Sequence, residues 1–176
     1  MMMKEYNFTL KYRLVSDDTD MDALVESLGE AGCTDALVGI GVVGRLALDF
    51  TREAKSAQEA VYSALADVKK AIPSATLIEA SPDLVGLTDV AEVVGVSRQA
   101  MRKLMTSHND FPLPFHEGSG VLWHLSSVLA WLVVEKGYKV DEALCETAEV
   151  TLGVNVAKEA KRYLSHATEE LERLIA

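Results

Sequence analysis

From residue 6 to 14 apolar and polar side chains alternate: Tyr6, Phe8, Leu10, Tyr12 and Leu14 share one face, and Asn7, Thr9, Lys11 and Arg13 the other. That period of two predicts a half-buried strand. A polar loop at 16–19 ends it. Thr19 or Asp20 then caps a helix with Met21, Leu24, Val25 and Leu28 inward and Gly32 at its end. Residues 36–43 and 45–50 read as a second and third strand, with Gly41 and Gly44 flanking the bend. Ser56 and Glu59 form a capping box. Ala57, Ala60, Val61, Ala64, Leu65, Val68 and Ile72 follow at helical spacing, and Pro73 stops that helix. Residues 76–80 make a fourth strand, and Ser81-Pro82-Asp83 is a boundary.

The order β-α-β-β-α-β predicts an α+β architecture that opens with a ferredoxin-like domain over residues 1–80: four antiparallel strands with two helices on one face. Such a sheet leaves an edge strand free, which suits dimerisation or partner binding.

The period changes after the boundary. Thr88 can cap a helix with Val90, Ala91, Val93 and Val94 as its apolar stripe, and Gly95 sits where a left-handed C-cap belongs. Val96 plugs the turn. Ser97 caps a second helix that exposes Arg98, Gln99, Arg102 and Lys103 and turns Ala100, Met101, Leu104 and Met105 inward. Two short helices joined by a Gly-containing turn are a helix-turn-helix, whose second helix enters the major groove. Phe111-Pro112-Leu113-Pro114-Phe115 suits a rigid crossing. Residues 115–116 and 121–123, joined by Glu117-Gly118-Ser119-Gly120, predict a β wing. Ser126 and Ser127 can cap a supporting helix with Val128, Leu129, Leu132 and Val133 inward, and Trp123 and Trp131 staple wing and helix to the core.

The pattern G-V-S-R-x-x-x-x-K-L, then F-P-x-P, a Gly-rich turn and L-W-H-L-S-S-V-L-A-W-L, resembles the AlpA/excisionase-like winged helix-turn-helix domains, distant relatives of MerR-type DNA readers. The resemblance covers about residues 86–134. It implies that Ser97, Arg98, Gln99, Arg102 and Lys103 read bases or hold phosphates, and that His116 and the wing tip around Ser119 touch the flanking backbone. The wing departs from the family in carrying no Lys or Arg.

A third segment, 140–176, reads as a helical hairpin or dimerisation arm. One helix over 140–152 is broken by Gly153-Val154-Asn155. A second, from about 156 to 175, places Ala157, Ala160, Leu164, Ala167, Leu171 and Leu174 on a heptad seam.

Charge refines this picture. The 176 residues carry a formal charge of −10, which argues against an indiscriminate nucleic-acid binder. Residues 1–94 hold 8 basic and 16 acidic side chains and residues 126–176 hold 6 and 9, but residues 95–125 hold 3 and 2. The segment assigned to DNA is thus the one without an acidic excess. Its few bases imply few phosphate contacts per subunit, so a homodimer on two half-sites of double-stranded DNA, or a partner protein, is expected. No long apolar run suggests a membrane span or signal peptide, and Cys33 and Cys145 without a CxxC fit a reducing cytoplasm.

Other signals read more plainly. Gly39-Ile40-Gly41-Val42-Val43-Gly44 matches G-x-G-x-x-G with Asp67 downstream, but a strand follows where a nucleotide fold needs a helix, so a hairpin is the better reading. Asp17, Asp18, Asp20 and Asp22 lack the Gly and terminal Glu of a calcium loop. His108, His116 and His124 lack the close spacing of zinc ligands and read as wing and surface residues. No nucleophile or acid–base constellation stands out, so an enzyme, cofactor or metal is not expected. The expectation is a sequence-specific DNA-binding protein, a repressor or phage or mobile-element regulator acting by operator occupancy. The alternative is an interaction module, such as an antitoxin or adaptor, binding a protein through its acidic N-terminal domain.

Overall fold

The first alternating stretch forms β1 (Lys4–Arg13), with Tyr6, Phe8, Leu10 and Tyr12 all buried. The computed structural model of the chain describes residues 2–15, 20–164 and 169–175, and the fold is mixed α+β. α1 (Met21–Ala31) starts at Asp20, whose carboxylate accepts the N–H groups of Asp22 and Ala23 at 3.1 and 3.2 Å. The alternative cap Thr19, with Asp17 and Asp18, lies outside the described residues. β2 (Ala36–Gly39), β3 (Arg45–Ala54), α2 (Ala57–Ala71) and β4 (Thr76–Ser81) follow. The sheet order is β2-β3-β1-β4, every neighbour antiparallel. α1 and α2 lie against one face, where Leu24, Leu28, Val61 and Val68 meet Leu10, Leu46, Leu48 and Phe50 in one core. Phe8 and Phe50 stack there at 5.1 Å.

Three details differ from the sequence reading. β2 stops at Gly39, because residues 40–43 turn outward with Val42 64% and Val43 75% exposed. β3 runs on to Ala54, because Arg52 and Ala54 continue the inward phase. Val25 is exposed, one position off the stripe that Leu24 and Leu28 bury.

A second core follows. β5 (Leu84–Val85) pairs with β6 (Trp123–His124), and between them lie α3 (Leu87–Val94) and α4 (Arg98–Ser107). α5 (Leu125–Lys136) follows β6 directly. Val90, Ala91, Met101, Trp123, Leu125, Leu129 and Leu132 are buried together. Phe111 meets both indoles edge-on, at 6.0 Å from Trp123 and 5.0 Å from Trp131. Trp123 Nε1 donates to Pro112 O at 3.2 Å and Trp131 Nε1 to Asp110 at 3.1 Å, so the proline-rich crossing is pinned at its start. The indole bond, helped by Lys136, holds the Asp110 carboxyl below its ordinary range.

Local corrections apply here too. α3 begins one residue before Thr88. Gly86 is the cap position, and its N–H donates to Asp89 at 2.8 Å. α5 begins after His124, so Ser126 and Ser127 lie in its first turn and do not cap it; the Leu125 N–H donates to Asp83 O at 2.7 Å. Val93 and Val133 are each 40% exposed, and Ala100 is exposed.

α6 (Glu142–Tyr163) joins the two cores. Ala143, Val150 and Val154 pack into the first, and Leu144, Cys145 and Ala148 into the second. It runs unbroken through Gly153-Val154-Asn155, contrary to the predicted break. The cost of one helical Gly, about 1 kcal/mol, is outweighed by the burial of Val150 and Val154 and by the hydrogen bonds of Asn155. α7 (Glu169–Ile175) follows. The proposed seam is therefore split between two helices, with Ala167 outside the described residues. Among the described residues no helix is long and apolar enough to cross a membrane.

Candidate nucleic-acid interface

Gly95 ends α3 at φ +75°, a left-handed conformation that favours glycine. Its N–H donates to Glu92 O at 3.2 Å and that of Val96 to Ala91 O at 2.9 Å, which closes the last turn. Val96 packs onto the second core, as predicted. The Ser97 Oγ accepts the Ala100 N–H at 3.1 Å, so this hydroxyl is committed to capping α4. Met101, fully buried, anchors α4 from beneath, and Leu104 and Met105 pack beside it. With that side fixed, the 3.6-residue period turns Arg98, Gln99, Arg102 and Lys103 outward together.

All four are exposed, and none has a side-chain hydrogen bond or ion pair among the described residues. Positive donors thus stand unpaired on one helix face, at its capped N-terminal end. Such a face can grip phosphate with Lys103 or one Arg. It can read base edges with the bidentate forks of Arg and Gln. It is also what a solvated helix face looks like.

The wing is smaller than predicted. Of the two strands read at 115–116 and 121–123, a single bridge forms, His116 with Leu122. The Phe115 N–H donates to Leu122 O at 2.8 Å and the Leu122 N–H to His116 O at 3.0 Å. Trp123, assigned to the wing from sequence, pairs instead with Val85 in a strand that the sequence reading placed nowhere. His116 and Ser119 are exposed at this loop, and no hydrogen bond or ion pair joins them to the α4 residues. Met101 of α4 and Trp123, which follows the loop, are buried in the same core.

Two histidines read as surface groups are half-buried. His108 Nδ1 donates to Leu104 O at 2.9 Å, and its ring meets Trp131 edge-on at 5.5 Å. His124 Nδ1 lies 2.6 Å from the carboxyl of Asp83, which is 2% exposed and also accepts from Asn155 at 2.7 Å. Phe115 packs edge-on against His124 at 5.0 Å. This set fixes the loop base to α6. No local signal could have revealed it, because Asp83, His124 and Asn155 are scattered over the chain and meet only by folding.

Asp67, the acidic residue downstream of the glycine pattern, is spent elsewhere: it accepts from Arg52 at 2.9 Å. No protein-family model matches the chain, and neither curated proteins nor solved structures give a match.

Proposed function

We propose that the protein binds double-stranded DNA at specific sequences and acts by occupancy, as a repressor or mobile-element regulator in the cytoplasm. In this reading α3, α4, α5 and the 115–122 loop form a winged helix-turn-helix, with α4 in the major groove and His116 and Ser119 at the flanking backbone. The observation that carries it is the unpaired row Arg98, Gln99, Arg102 and Lys103 on the second of two helices joined by a three-residue turn. The β-α-β-β-α-β unit, read as ferredoxin-like, pairs the subunits or takes a partner. A gel shift against DNA upstream of its own gene, at two salt concentrations, tests this. A discrete complex absent for the Arg98→Ala/Arg102→Ala variant supports the reading; no complex at low salt from folded protein removes it.

One observation favours a second reading, an adaptor or antitoxin-like module. Leu37, Ile40, Val42 and Val43, on the edge strand β2 and in the segment that follows it, are all exposed. Exposed apolar clusters mark association surfaces. Should DNA binding fail, a pull-down with the Val42→Asp/Val43→Asp variant as control tests this surface.

A further inference from the structure

β1 ends on Arg13 and β3 begins on Arg45, and the two are direct partners in the ladder. The Leu14 N–H donates to Gly44 O at 2.9 Å, so pairing continues past them and holds the arginines side by side. Like charges directly opposite on one sheet face destabilise it. A third arginine, Arg162 in the last turn of α6, lines the same cleft of about 210 Å³, together with Thr76, the partner of Arg13 on β4. A larger hollow of about 800 Å³ shares Thr76, Leu77 and Arg162 with the cleft, and adds Lys69, Lys158 and Lys161 over an apolar floor that includes Ile72 and Pro73.

No Asp or Glu lines either hollow, although the chain holds 27 acidic against 17 basic residues. Among the described residues Arg13, Arg45, Lys69, Lys161 and Arg162 make no ion pair, whereas nearby Lys11 and Lys158 pair with Glu79 and Glu159. The helix dipole accounts for Lys161 and Arg162 at the end of α6. It does not account for an arginine pair across two strands. An anion does. Guanidinium forks match phosphate bidentately, and three of them beside a hydroxyl suit a group with several charged oxygens better than a single carboxylate.

We propose that the Arg13–Arg45–Arg162 cleft binds the phosphate of a small phosphorylated molecule, whose body lies in the lysine-rimmed hollow. This site does not depend on the DNA reading. The test titrates the full chain with inorganic pyrophosphate at low ionic strength by calorimetry. Wild-type protein and Arg98→Ala/Arg102→Ala should bind equally and saturably, and Arg13→Gln/Arg45→Gln should bind about tenfold more weakly or worse, as the loss of charge-assisted bonds requires. Without ligand, the Arg13→Gln/Arg45→Gln melting temperature should equal or exceed that of wild type, because the repulsion is gone. If that variant does not fold, Arg162→Gln, at an exposed helix end, replaces it. No saturable binding, or binding indifferent to these arginines, overturns the proposal. So does a finding that Arg13→Gln/Arg45→Gln abolishes binding to a short random duplex, since the arginines would then be contacts for a DNA backbone.

Discussion

Asn155 holds both backbone groups of Ala80: its Oδ1 accepts the Ala80 N–H at 2.9 Å and its Nδ2 donates to the Ala80 carbonyl at 2.7 Å. One side chain of α6 thereby does for the outer edge of β4 what a fifth strand would do. The same Nδ2 donates to Asp83 at 2.7 Å, and Lys158, one turn on, donates to Ile78 O. Sheet, linker and helix are tied at one point, and the edge is closed to a further strand. Asn155→Ala strands a buried N–H and C=O, each of which costs about 1–3 kcal/mol when left unpaired. With two such groups, urea unfolding should show a loss of about 2 kcal/mol or more, and the Ala80 amide should exchange faster with solvent. A loss within experimental error would mean that water replaces the amide freely.

Arg52 is the charged counterpart of that tie. It is 8% exposed, yet every donor is used: two bonds to Asp35 at 2.7 and 2.9 Å, one each to Ser63 and Asp67, and one to Gly32 O. Burial alone would raise the Asp35 carboxyl, but the bonds and charge of Arg52 outweigh it and hold the group below its ordinary value of 3.8. The sign follows. The unfolded chain takes up the proton first, so the stabilisation from Asp35 is complete above pH 3.8 and is lost as pH falls through the lower folded value. Arg52→Met should cost about 3 kcal/mol, the low end for breaking a buried pair, because Asp35 and Asp67 keep 29% and 28% exposure. The variant should also lose the acid limb that Asp35 gives wild type. An unchanged acid limb would assign that limb to other carboxylates.

How far the sequence carried depended on the range of the interaction. Local periodicity placed α2 and α4 to within about a residue and β1, read at 6–14 and observed at Lys4–Arg13, to within two, because alternation and capping are encoded within a few positions: Ser56 caps α2 and Ser97 caps α4, as read. The exposure of Arg98, Gln99, Arg102 and Lys103 was legible for the same reason. What failed was non-local. The pairing of β5 with β6 joins two-residue segments some forty positions apart, too short to show a period. Arg52 falls outside the strand read at 45–50, because its inward position is stabilised by Asp35, Asp67 and Gly32, which lie elsewhere in the chain. Gly153-Val154-Asn155 carried a local signal of breakage that packing against both cores overrides. The cleft between Arg13, Arg45 and Arg162 was invisible because its members only meet once α6 docks.

On α4, Lys103 and Arg102 should separate by role. If Lys103 holds a phosphate, Lys103→Ala weakens all duplexes alike and lowers the salt dependence of log K by about one. If Arg102 reads a base, Arg102→Ala costs roughly 1–3 kcal/mol on the selected site and little on random DNA. Both are exposed, and neither change should alter stability by more than about 0.5 kcal/mol. Equal losses on both DNAs for Arg102→Ala would make it a second phosphate contact.

Two glycines should answer to alanine with opposite signs. Gly153 lies inside α6, without a positive φ, and a Cβ there meets nothing within 4 Å. Alanine lowers the entropy of the unfolded chain and raises helix propensity, so Gly153→Ala should stabilise by about 0.5–1 kcal/mol. Gly95 has equally open space, but its φ of +75° is a left-handed conformation that costs an L-residue roughly 1–2 kcal/mol. Gly95→Ala should therefore destabilise by that amount, through backbone strain and not through a clash. Chemical denaturation of the two variants beside wild type measures both. If Gly153→Ala destabilised instead, residues 153–155 would have to form the break that their composition suggests, and α6 could not be the single rod on which both cores are mounted.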